Sequence, residues 1–192
     1  ILMEYARLHF APRLAGRIAD AILALERNWA GPLAENGAVE GSLTTWQELE
    51  KAAPELESNW RWQMCLLRAN YDAMVRRRML YEKGLEEEAN TVMAGARSSA
   101  AMEQARAILE RAVTQPVATD LRARIVELCA KLYDSIGLQT SVEKYHASGA
   151  ERGAVLDFVD APLNNRWWLE DEFKKVAALP TEDAKVARLH EL

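Results

Sequence analysis

Proline and glycine are scarce in this chain, at six and nine of 192 positions. That leaves too few tight turns for an all-β fold. Histidine is scarcer still: His9, His146 and His190 are the only three. There is no His-Glu-x-x-His, no Cys-x-x-Cys and no Cys/His cluster, so a zinc site lacks its ligands. A single Glu-x-x-His, Glu143 with His146, falls short of the two such pairs and two further glutamates that a di-metal bundle needs. The Gly-x-Gly-x-x-Gly, Gly-Lys-Ser/Thr and Gly-x-Ser-x-Gly signatures of nucleotide sites and hydrolase elbows are missing as well. No metal and no cofactor is therefore expected.

Long apolar runs are also lacking; none approaches the roughly 20 residues that span a bilayer, and the N-terminus has no signal-peptide pattern. Positive charge is in deficit: the net charge of -5 and pI near 5.4 oppose phosphate backbones and anionic lipid, so neither nucleic acid nor membrane is an expected partner. The two cysteines, Cys65 and Cys129, sit in apolar helical patterns and are expected as buried free thiols. Neither they nor the N-terminus fixes a compartment. The chain opens at Ile1 without an initiator Met, which suggests a piece of something longer.

What is present is helical periodicity. With 49% apolar and 28% charged residues, the chain is expected to form one all-α domain over 1–192, an irregular bundle around a long central helix at about 55–96. Within that helix Trp60, Met64, Leu67, Tyr71, Met74, Tyr81 and Leu85 form a heptad-like seam, widened by Leu66, Ala69, Ala73 and Leu80. Arg78 falls on the seam, where it must snorkel or find an acid, and its pairing with Glu82 is placed on the outer face. A short helix over Leu2–Phe10 precedes one carrying Leu14, Ile18, Ile22, Leu25 and Trp29 on one face. Thr45 with Glu48 reads as a capping box. Further helices are expected from Ser98 or Ser99 to Val113, from Thr119 to Gly137, from Arg166 to about Ala178, and after Thr181. Between them, about 138–164, periodicity fades into an irregular loop region.

Candidate functional residues are few. Arg76, Arg77 and Arg78 fan over about 200° of a helix and read as a solvated face. A ligand pocket near His146, Asp157 and Asp160 is one alternative, either for a small ligand or for a metal-dependent bundle enzyme. The adjacent Trp167 and Trp168 point roughly 100° apart, so both rings are buried only where two surfaces meet. They are either a staple for the last helices or, with Asn164, Asn165 and Arg166, a contact site. A stand-alone module that homodimerises through the seam is a further reading.

Several stretches carry a resemblance. Glu4-Tyr5-Ala6-Arg7-Leu8-His9-Phe10-Ala11-Pro12, Leu25-Glu26-Arg27-Asn28-Trp29, Asn59-Trp60-Arg61-Trp62-Gln63-Met64, and the run from Glu151-Arg152-Gly153-Ala154 to Pro162-Leu163-Asn164-Asn165-Arg166-Trp167-Trp168-Leu169-Glu170 are its parts. Together they resemble the helical C-terminal region of large bacterial glycoside-hydrolase-like proteins, in which a (β/α)8 barrel of the hexosaminidase or α-glucuronidase kind comes first. The resemblance implies that catalytic carboxylates lie on that barrel and that no active-site residue maps onto this chain. Arg152 joins the contact residues on the same ground. The implied role is a non-catalytic accessory domain whose partner is the barrel of its parent chain or a second subunit.

Overall fold

A computed structural model describes residues 1–149 and 154–192; Glu151, Arg152 and Gly153, quoted in the resemblance, lie outside the described residues. The all-α helical bundle expected from the pattern is what the structure shows: ten α-helices and three short 3-10 turns, with no strand among the described residues. The chain groups into two compact units. The first holds Ile1–Arg76 and Ala118–Ala161, the second Arg77–Val117 and Pro162–Leu192.

The first unit contains α1 (Leu2–His9), α2 (Ala15–Arg27), α3 (Ala38–Ala52), the start of α4 (Trp60–Ala94), α6 (Thr119–Ile136), and the short α7 (Val142–Tyr145) and α8 (Val155–Phe158). Aromatic rings bind its centre: Phe10 meets Trp62 at 5.7 Å and Trp62 meets Trp46 at 5.2 Å, both edge to face. The Trp46 indole N–H donates to the Ala21 carbonyl at 3.2 Å, so the ring is buried without an orphaned donor. Ile18, Leu49, Ile125, Leu128 and Leu132 fill the space around them.

The second unit contains the remainder of α4, α5 (Ala100–Thr114), α9 (Arg166–Ala177) and α10 (Glu182–Glu191). Its core is smaller: Ala89, Met93, Ala105, Leu109, Leu169, Phe173, Val176 and Leu189. α10 starts as expected, with the Thr181 hydroxyl accepting from the Ala184 amide at 3.2 Å. The amide of Ser99, at the head of α5, donates instead to the Glu182 carboxylate at 2.5 Å.

Several local expectations are corrected. α4 begins at Trp60 rather than 55, because Pro54–Leu56 takes a 3-10 turn and the Asn59 carboxamide caps the helix, accepting from the Arg61 and Trp62 amides at 3.0 and 3.3 Å. α3 starts at Ala38, so Thr45 is interior to it and its hydroxyl bonds back to Gly41 instead of capping. Of the seam, Leu67, Met74 and Leu85 are buried, but Trp60 and Met64 are exposed and Trp62 takes the core position. Leu80, placed on the second apolar line, is 44% exposed. Trp29 lies past the end of α2 and is 65% exposed, while its neighbour Asn28 is fully buried. Both cysteines are free thiols, Cys129 buried and Cys65 half-buried.

Candidate functional site

The head of α9 in the second unit is where the tandem tryptophans stand. Leu169, Phe173 and Val176 turn one face of this helix into the core, and Trp167 lies about 200° from Leu169 around the axis. Its ring is accordingly 72% exposed, and that of Trp168 is 49% exposed. Leu163, four residues before Trp167, is exposed as well. Two interactions fix this corner. The Arg166 amide donates to the Asn164 carboxamide oxygen at 3.2 Å, and the Leu163 amide donates to Glu82 on α4 at 2.9 Å. Glu82 is 2% exposed and also accepts from Arg78 at 2.6 Å. Their pairing is thus buried rather than on an outer face. Asn164 is half-buried, its amide nitrogen without a partner, and Asn165 is exposed beside it.

The arginine triplet is also corrected, since the Arg76 side chain is 17% exposed and bonded to Glu40, and the Arg78 side chain is 14% exposed. A wet face would have left both open.

The alternative trio belongs to the first unit, where its two acids serve different partners. Asp157 accepts from the Ser141 hydroxyl at 2.7 Å and the Val142 amide at 2.8 Å, tying α8 to the head of α7. Asp160 takes both arms of the Arg122 guanidinium, at 2.7 and 2.5 Å, and this bond holds Arg122 above its ordinary pKa. His146 is exposed at the left-handed C-cap of α7, with φ 58°.

Two features of the first unit escaped the sequence reading. One is a buried polar chain: the Ser42 hydroxyl donates to the Asn28 side-chain oxygen Oδ1 at 2.9 Å, and the Asn28 side-chain nitrogen Nδ2 donates to Asp72 at 2.9 Å. Arg68 donates to the same Asp72 oxygen at 2.8 Å and lays its guanidinium 4.3 Å from the exposed Trp29 ring. The signal was there, since Arg68, Asp72 and Arg76 recur every fourth residue on α4. On the same helix Arg61 stacks 4.2 Å from the Trp60 ring, leaving an open face of Trp60 and Met64.

The other feature is a charged groove along α6. Lys131 reaches Glu57 and Glu127, each at 2.9 Å, while Arg124 pairs with Glu50 and Glu127. The Lys131 ammonium lowers the Glu57 pKa; Arg124 and then Lys131 lower that of Glu127; the two acids in turn raise Lys131. A cavity of about 590 Å³ opens at the end of this groove, between Pro54–Ser58, Gln63 and the last turns of α6.

Among the described residues no three His, Cys, Asp or Glu side chains converge as metal ligands, and no helix is long and apolar enough to cross a membrane. Comparison with family models, with curated proteins and with solved structures yields no match.

Proposed function

We propose that this chain is a non-catalytic helical accessory module that docks onto the catalytic barrel of a larger glycoside-hydrolase-like protein, with the head of α9 as its contact face. One observation carries this reading: Trp167 and Trp168 are presented to solvent from a helix whose start is pinned by a buried carboxylate. Exposed tryptophans are the side chains that anchor interfaces, because their large rings bury much apolar area on docking. The resemblance supports the choice of partner. The pairing of Asp157 with Ser141 and of Asp160 with Arg122 supports the absence of catalysis, since these acids are already engaged in holding loops.

Reading the gene upstream of Ile1 is the first test, with a continuous frame into a (β/α)8 barrel as the expected result. The purified barrel is then titrated with this chain. The Trp167→Ala/Trp168→Ala variant is expected to weaken association about 100-fold. Unchanged affinity in that variant, or no complex between the wild-type partners at about 100 µM, overturns the proposal.

A second reading has its own support: Trp60 and Met64 on α4 are exposed although their spacing belongs to a packing seam. A second copy of the chain would cover them. Light scattering on the isolated chain should then give a dimer, and a monomer across the accessible concentration range ends that reading.

A further inference from the structure

Two arginines in the first turns of α4 lie against exposed tryptophans, both within the first unit. Arg61 covers the Trp60 ring at 4.2 Å, and Arg68 covers the Trp29 ring at 4.3 Å. Seven residues separate the two arginines, which on a helix sets them on one stripe about 10.5 Å apart along the axis. Trp60 and Met64, exposed at 38% and 39%, fall within about 100° of both.

The stacking covers the faces of the guanidinium groups and leaves their edges open. Arg61 enters no ion pair among the described residues, so its N–H donors are unspent. Arg68 gives its Nε to the buried Asp72 at 2.8 Å, and Asn28, the neighbour of Trp29, donates to the same oxygen at 2.9 Å. Ring and guanidinium are thereby fixed to one carboxylate, while the two Nη groups of Arg68 have no partner among the described residues. Counted with Asp72, the Arg68 pair is neutral, and the positive charge of the face is that of Arg61 alone. No acid in the face offsets it, since neither Asn28–Pro32 nor Trp60–Tyr71 contains Asp or Glu.

We propose that this face docks an acidic amphipathic helix, with one carboxylate on Arg61, a second acceptor two turns away on the Arg68 Nη groups, and apolar side chains over Trp60 and Met64. A carboxylate takes two parallel N–H bonds from a guanidinium edge, and an arginine already stacked and anchored loses little freedom in giving them. Charge also argues against a second copy of the chain as the occupant. A two-fold axis near Met64 sets Arg61 of one chain against Arg68 of the other with no acid on the face between them.

The test is fluorescence anisotropy of a labelled, helix-stabilised peptide titrated with the full chain, the peptide carrying two glutamates seven residues apart and leucines between them. A Kd of about 10–100 µM at low salt is expected, rising with ionic strength. The same peptide with glutamines should bind at least about fivefold more weakly, and with lysines not at all. Arg61→Gln, which removes no hydrogen bond of the side chain, should weaken the acidic peptide at least about fivefold. Arg97→Gln, an equal change of charge at an exposed position in the other unit, should leave it unchanged. Arg68→Gln should weaken binding too; because it unpairs the buried Asp72, it is read only if its melting curve matches the wild type, and Arg61→Gln decides otherwise. Equal affinity for the glutamate and glutamine peptides, equal losses in Arg61→Gln and Arg97→Gln, or no binding at about 1 mM overturns the proposal. So does a dimer of the chain that Trp60→Ala/Met64→Ala abolishes, which gives the face to a second copy. Trp167→Ala/Trp168→Ala should bind the peptide like the wild type, so failure here and failure of the α9 contact face are told apart.

Discussion

The carboxylate of Glu82 on α4 accepts the backbone amide of Leu163 at 2.9 Å, so one buried acid holds the segment that leads into α9. Its other oxygen takes Arg78 at 2.6 Å. Without the acid, the Leu163 amide would lose its acceptor and the Arg78 guanidinium, 14% exposed, would lose this carboxylate. Breaking a buried pair from one side costs about 3–5 kcal/mol. Glu82→Ala is therefore expected to lower stability by about that amount in urea denaturation. A loss under about 1 kcal/mol would show that water replaces the carboxylate and that α9 is held by its apolar face alone.

This pair also marks where the sequence was readable and where it was not. The spacing of Arg78 and Glu82 announced the contact, but its burial depended on the chain returning at Leu163, 81 residues later. The longer helices followed from apolar period and from Pro54, Pro116, Gly137 and Thr181, because those signals are local, whereas the short α7 and α8 fall in the stretch that reads as an irregular loop. Which of two interleaved apolar lines faces inward is a tertiary matter. Trp62 and Trp60 both suit a core, and only packing on Phe10 and Trp46 selects Trp62. Likewise, the buried Asn28 beside the exposed Trp29 makes sense only once Asp72 and Ser42 stand opposite it. The groove along α6 was invisible for the same reason: Gln63 and Asp134 are remote in sequence and meet only in the fold.

A small gain in stability is available at Ala118. This residue precedes α6 with φ 57° and ψ 34°, the left-handed region where a Cβ costs about 1–2 kcal/mol. Glycine removes that penalty and gives back part of it through a more flexible unfolded chain. Ala118→Gly should raise stability by about 0.5–1 kcal/mol, measured as a higher urea midpoint at unchanged slope. A lower midpoint would mean that the alanine methyl contributes more packing than the backbone loses in strain.

The pairing of Glu182 with Ser99 makes a pH-dependent contribution. The Ser99 amide and then its hydroxyl bond to the Glu182 carboxylate, depressing its pKa below the ordinary 4.5. A group whose pKa is lower in the folded state adds stability above its unfolded value, and that stability is lost as pH falls through the folded value. The melting temperature of Glu182→Ala should thus lie below that of the wild type at pH 7. The gap should close steadily as the pH is taken below 4.5. A gap constant between pH 7 and pH 3 would assign the effect to helix propensity or packing rather than to the charge.

Thiol chemistry offers a separate probe of the first unit. Burial alone pushes the Cys65 thiol up to about 12, and burial, as the largest influence, raises Cys129 as well. The thiolate is the reactive form, so at pH 8 Cys65 presents roughly one part in ten thousand of its population as nucleophile, against about a quarter for an unperturbed cysteine. Disulfide-exchange reagents should therefore label the folded chain at least about 100 times more slowly than a denatured control, and both thiols should react together once urea unfolds the unit. A rapid reaction of one thiol in the native chain, traced by mass spectrometry to Cys65, would show that the face of α4 around it opens independently of the core, because no side chain near enough to activate the sulfur offsets its burial.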